Sequence, residues 1–314
     1  MAGFFGFFNY AKPGPGVDVN APPKKAYFRF WELYWRKFSR FIALNMIVFA
    51  FLLPIITLLF LMYMGWSFSL LERAGEIPGL IAEAEQHEGM ASIFGALQSI
   101  LLEAASMLPP LVSFLLLAAS AVFYGPVMCG MTYILRNFSR EEHAWLSDFF
   151  VRMKSNFRQG AILGLLELLA LGTLFFNILT PVPEDGIGFL NASMPLIRYI
   201  SIFLVILVLF ARNYIYAMAV TFDIKTRSII KNGFAFAFVG LFRNFGVLLC
   251  ALALIFAMLA IPFADIVLLP FFFFTFTGFL STFATFPLIY KYMVLPQTKE
   301  SDGTEPDGAE QDAV

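Results

Sequence analysis

Charge is scarce in this chain. Only 14% of its 314 residues are Asp, Glu, Lys or Arg, whereas 60% are hydrophobic, which leaves too little polar surface to keep a protein of this size in water. An ordinary soluble enzyme is excluded. Histidine and cysteine are scarcer still, at two each. His87 falls in an acidic segment and His143 in a basic one, so they cannot share a metal, and neither has a partner at H-E-x-x-H spacing. Cys129 and Cys250 lie inside apolar runs and form no C-x-x-C, so no disulfide framework is expected. No P-loop, dinucleotide fingerprint or Gly-x-Ser-x-Gly occurs. The sequence thus offers no catalytic residue, metal site or cofactor signature. With a formal net charge of −1 and basic residues set beside apolar runs, nucleic acid is not an expected partner.

Long apolar runs, by contrast, fill most of the chain. About 20 residues at helical rise cross a bilayer, and six such runs are present, over about 41–71, 111–135, 160–180, 196–222, 246–264 and 266–290. They predict an all-α polytopic transmembrane bundle spanning 41–290, with the lipid bilayer as its surroundings. Residues 1–40 form a lead and elbow helix, 72–110 an outer loop, and 291–314 a disordered acidic tail carrying Glu300, Asp302, Glu305, Asp307, Glu310 and Asp312. Eighteen of the 21 Lys and Arg fall in 1–40, 136–160, 223–245 and 291–314. Basic residues accumulate on the cytoplasmic side, so the expectation is a multi-pass protein of the cell membrane with both termini cytoplasmic. The Phe4–Phe8 cluster lacks a basic flank and runs into Pro13 and Pro15, so it does not read as a cleaved signal.

A pattern recurs three times. An aromatic and basic amphipathic stretch leads into an apolar span at Phe30–Phe38, Phe149–Phe157 and Phe238–Phe245, and a proline closes each of these spans: Pro54, Pro181 and Pro262. The simplest architecture is three hairpins, each introduced by a cytoplasmic interfacial elbow helix whose apolar face lies among headgroups.

Ionisable side chains are expensive inside a bilayer, which singles out Glu167 and Arg212. Counted from the nearer ends of their spans, they lie about 7 and about 10 residues deep, or roughly 10 and 15 Å. They read either as a buried pair lining a polar cavity or proton path, or as a hydrogen-bonded Glu167 beside an Arg212 that snorkels. In the loop after the second span, Ser139 and Glu142 have capping-box spacing, and Ser147 or Asp148 is placed to cap the next elbow. In the last span Gly278, Ser281, Thr282 and Thr285 recur at i, i+3, i+4 and i+7, a small polar stripe suited to helix packing. Gly160-x-x-x-Gly164 suggests a close contact within the chain. Glu83, Glu85 and Glu88 read as a solvated helix face.

These residues resemble the YesL-like bacterial integral membrane proteins, a domain of unknown function. The resemblance rests on Leu44-Asn45 and Pro54-Ile55-Ile56-Thr57, on Gly125-Pro126, Gly130, Thr132-Tyr133, Arg136-Asn137, Arg140-Glu141, Asp148-Phe149-Phe150 and Asn156-Phe157, and on Tyr214, Phe222-Asp223, Asn232 and Arg243-Asn244. It covers most of 28–290 and is most specific from Gly125 to Phe157. Thr57 and Gly125 stand much farther apart than in the family, so 58–124 looks like an insertion. The resemblance implies an association with carbohydrate uptake and no mechanism; the leading reading built on it is an accessory or permease-like component, for which ABC-type sugar transporter subunits are candidate partners. The other reading is a non-transport scaffold. In either case the docking candidates are Arg136, Asn137, Asp148, Asn156, Asp223, Asn232, Arg243 and Asn244. The inner loops lack the Glu-Ala-Ala and Gly signature of importer permeases, which argues against an ordinary permease subunit.

Overall fold

The computed structural model describes residues 25–74, 110–180, 188–261 and 264–296. The lead before residue 25, most of the outer loop with His87 and its glutamates, Pro181, Pro262 and the acidic tail lie outside the described residues. Among the described residues every regular element is helical. In chain order these are α1 (Ala26–Arg36), α2 (Phe38–Ala74), α3 (Pro110–Ser139), α4 (Leu146–Ser155), α5 (Phe157–Leu179), α6 (Gly188–Ala219), α7 (Thr226–Val239), α8 (Leu241–Ala260), α9 (Ala264–Leu268) and α10 (Phe274–Ile289). π-helical turns at Leu269–Phe273 and Tyr290–Val294 flank α10. Six stretches are long and apolar enough to cross a membrane: Phe38–Leu58, Phe114–Ser139, Phe157–Leu179, Ser193–Ala219, Leu241–Ala260 and Leu269–Val294. This is a helical membrane bundle. Its helices reach three to five residues beyond the expected boundaries at several ends near the elbows, because a basic residue such as Arg243 continues the first turn of a span. Pro54 does not close its helix. It lies inside α2, where Ser120 of α3 donates to the Phe51 carbonyl at 2.8 Å and Thr57 donates to that of Leu53 at 2.9 Å.

The elbows are α1, α4 and α7, which lead into α2, α5 and α8. The third differs from expectation. It occupies 226–239, and Phe238–Phe245 straddles its break and the start of α8. The three breaks share one backbone geometry: Lys37, Asn156 and Gly240 have φ/ψ of −114°/17°, −99°/15° and −95°/20°. Each break residue accepts at its carbonyl from the amide four residues on, Phe41, Gly160 and Asn244, at 3.1, 2.7 and 2.9 Å. The links into α4 and α7 match as well, each being two turn residues followed by four without regular structure, at 140–145 and 220–225, and each ending on an extended residue, Trp145 or Lys225. The recurring motif is therefore a physical device: each break separates an elbow from the span that follows while the first carbonyl of the new helix is already paired.

The elbows do not simply float among headgroups. Phe30, Leu33 and Tyr34 of α1 are buried and pack on the last span, Phe30 stacking on Phe279 at 5.1 Å and Tyr34 meeting Phe276 edge-on at 5.5 Å. The opposite face, with Phe28 and Trp35, is exposed, as is Tyr27 at the start of the helix. In α4, Phe149 is buried against Gly130, where a Cβ would meet the Phe149 ring at 2.9 Å. Each elbow thus has one face in the protein and one outside it. The hub is α3, whose span is 50% buried where that of α8 is 11% buried.

The π-turn before α10 is held from outside. Pro270 has no N–H to give, and the fully buried Asn45 of α2 spans the interruption. Its Nδ2 donates to the Leu269 carbonyl at 2.8 Å, and its Oδ1 accepts from the Thr275 amide at 2.9 Å. Thr275, Ser281, Thr282 and Thr285 all face inward, and Gly278 lets Met131 and Leu135 of α3 approach. The polar stripe packs helix on helix, as its spacing suggests.

Candidate functional site

The intramembrane pair meets where α3, α5 and α6 converge. Gly160, Leu163, Gly164 and Glu167 form one buried face of α5, and this face lies against Gly125-Pro126 of α3. The approach is backbone to backbone. A Cβ on Gly125 would overlap the Gly160 carbonyl, and one on Gly160 would stand 3.0 Å from the Pro126 nitrogen. The Gly-x-x-x-Gly is therefore an internal contact. Because the helices approach so closely, Tyr124, the neighbour of Gly125, places its hydroxyl one turn beyond Gly164, on Glu167.

Four side chains close the site. The Tyr124 hydroxyl donates to Glu167 Oε1 at 2.9 Å and the Tyr216 hydroxyl to Oε2 at 2.7 Å. Arg212 Nε stands 2.9 Å from Oε1, and its Nη2 donates to the Tyr124 oxygen at 3.2 Å. Arg212 and Tyr216 are i and i+4 on α6, hence on one face. Both carboxylate oxygens are occupied by fixed donors, which is what a buried charge requires. The site opens on one side only: the Glu167 side chain is 6% exposed and that of Arg212 is 30%. The arrangement can hold charge in an apolar setting and fix three helices together.

The docking candidates divide by burial. Arg136 and Asn137 are buried. Arg136 donates through Nε and Nη2 to Asn137 Oδ1, at 3.2 and 2.9 Å, and through Nη1 to the Val220 carbonyl at 3.2 Å and Thr221 Oγ1 at 2.9 Å. They bind the end of α3 to the α6–α7 link and leave nothing for a partner. Asn244 is likewise buried, donating to the Ala237 carbonyl at 3.0 Å across the third break. Arg243 donates to the Ala284 carbonyl at 3.3 Å. Asp148 accepts from the Trp145 amide at 2.9 Å and so caps α4 from its first turn. Ser139 caps no helix. It ends α3 and donates to the Arg136 carbonyl at 2.7 Å, because the chain turns at 140–141 and the next helix begins only at Leu146. Asn156 is the second break, with Nδ2 on the Arg152 carbonyl at 3.1 Å. Asp223 is exposed and Asn232 half-buried.

Sequence reasoning missed Tyr124, Tyr216, Asn45 and Thr275 as members of polar networks, and Glu141 as a clamp. Glu141 adopts a left-handed φ of 62° and pairs with Arg36 at 3.0 Å and Arg29 at 3.4 Å, fastening α1 to the end of α3. The Arg36 guanidinium, hydrogen-bonded to it, holds this carboxyl below its ordinary pKa. Compared with protein-family models, curated proteins and solved structures, the chain matches none.

Proposed function

We propose that the chain is a non-catalytic accessory subunit of a membrane assembly. It sits in the cell membrane with both termini cytoplasmic and presents its elbow layer to a partner. The resemblance to YesL-like proteins supports carbohydrate uptake as the setting and ABC-type sugar transporter subunits as the partner class. One observation carries the accessory role: the ionisable pair inside the span region is closed by its own tyrosines, whereas the elbow layer offers exposed Trp35, Trp145, Phe150 and Val151. Glu167 spends its contacts on Tyr124, Tyr216 and Arg212 of its own bundle. Aromatic side chains with an apolar body and a polar tip are suited to partner contacts.

The test is affinity capture of the tagged protein from its native host in nanodiscs, with mass spectrometry of the co-purifying chains. Recovery of transporter subunits that is lost in Trp145→Ala/Val151→Ser, and kept in wild type, is expected. Capture of the protein alone would overturn the accessory role. A permease-like second reading draws on the 30% exposure of the Arg212 side chain. It requires that Glu167→Gln abolish sugar uptake while folding and abundance stay normal, which the accessory role does not.

A further inference from the structure

Where α5 begins and the α6–α7 link ends, three cations stand exposed, and none of them forms an ion pair among the described residues. Gln159 donates through Nε2 to the Ile224 carbonyl at 2.9 Å and to Thr226 Oγ1 at 3.4 Å. That bond ties the two segments together and sets the backbone of Arg158 beside those of Lys225 and Arg227. All three side chains are exposed. Asp223, the nearest carboxylate in sequence, makes no ion pair with them among the described residues. The cations of the first elbow differ, since Arg29 and Arg36 share Glu141, and Arg140 is paired with Glu142 at 2.9 Å. The seam between the second and third elbows thus gathers three exposed cations, unpaired among the described residues, on two segments that Gln159 ties together.

An apolar track leads away from it. Ile162, Leu165 and Leu169 follow Arg158 on α5 at i+4, i+7 and i+11, which is one helix face, and they are 43%, 37% and 67% exposed. A cationic head on an apolar stripe that runs along a span is complementary to one kind of molecule, an amphiphile with an anionic head. We propose that this seam binds the phosphate headgroup of an anionic phospholipid between Arg158, Lys225 and Arg227, with an acyl chain along Ile162, Leu165 and Leu169. The site lies on the elbow side of the membrane whichever compartment that side faces, and it does not depend on the accessory role.

The full-length protein, purified in mild detergent, is titrated with dioleoylphosphatidylglycerol and with dioleoylphosphatidylcholine, and lipid retention is read by native mass spectrometry. The glycerol lipid is expected to bind about tenfold more tightly, and Arg158→Gln/Lys225→Gln/Arg227→Gln to lower its affinity on the order of tenfold or more without affecting phosphatidylcholine. Arg158→Gln alone should move it several-fold in the same direction. Lys154→Gln/Lys231→Gln removes two other exposed elbow cations and should leave it unchanged. An equal loss in that control would mean diffuse attraction to the whole face and would overturn the site. Retention of inorganic phosphate that is lost in the triple variant, with phosphatidylglycerol held no more tightly than phosphatidylcholine, would overturn the lipid as its occupant.

Discussion

At the scale of single residues the membrane core depends on two kinds of contact, a satisfied charge and a missing Cβ. Arg212→Met leaves Glu167 buried without its cation, and breaking a buried pair from one side costs about 3–5 kcal/mol. Glu167→Gln keeps an acceptor for one tyrosine and frees an Arg212 that is already 30% exposed to reach outward, so it should cost less. The double variant should be no worse than Arg212→Met alone; a double-mutant cycle on thermal unfolding in bicelles reads the coupling, and additive losses would show that the pair is not a unit. Gly125→Ala forces α3 and α5 apart and should cost about 1–3 kcal/mol. Gly172→Ala, where a Cβ meets nothing within 4 Å, should be neutral or stabilising by up to about 1 kcal/mol. Glu167, Arg212, Gly160 and Gly164 could be singled out from sequence because a charge in an apolar run and a Gly-x-x-x-Gly are local signals. Tyr124 and Tyr216 could not, since a tyrosine in such a run reads equally well as a belt residue until the helix facing it is known.

Elements carry the next layer, and here α1 is the informative case. Its aromatic periodicity marks it as amphipathic, yet nothing local says that its buried face meets protein, because the partner span begins more than 200 residues later in the chain. The third elbow is displaced for a similar reason: its aromatic and basic residues continue past the break at Gly240 into the first turn of α8, so the recurring pattern falls at Phe238–Phe245 although the elbow itself is Thr226–Val239. What fastens α1 can be tested by pH. Since the Glu141 carboxyl is held below its ordinary value by Arg36, the clamp is complete above the ordinary carboxylate range and is lost as pH falls through the depressed value. Both partners are about half exposed, so the effect should be modest and weakened by salt. A spin label at residue 28 should gain mobility below about pH 4 and in Glu141→Gln at neutral pH. Unchanged mobility in both would mean that aromatic packing alone seats the elbow.

For the whole molecule, the six spans and the elbows fix a topology whose sidedness follows from charge. In the described segments 25–40, 136–160, 220–245 and 290–296 the elbow side carries fifteen Lys and Arg against five Asp and Glu, while Arg198, bound to the Thr180 carbonyl at 2.9 Å, and Asp265 lie at the other side. Moving that much positive charge across a membrane held negative inside is unfavourable, so the elbow side should remain cytoplasmic. Single cysteines at His143, Asp223 and Asp265, in a background with Cys129 and Cys250 replaced by serine, separate the two orientations. In intact cells a membrane-impermeant maleimide should label position 265 alone, and after permeabilisation positions 143 and 223 as well. The reverse pattern would invert the bundle and turn the elbow layer, with its exposed Trp145, toward partners outside the cell. Labelling of all three in intact cells would indicate two populations of opposite orientation, which a charge bias of this size should prevent.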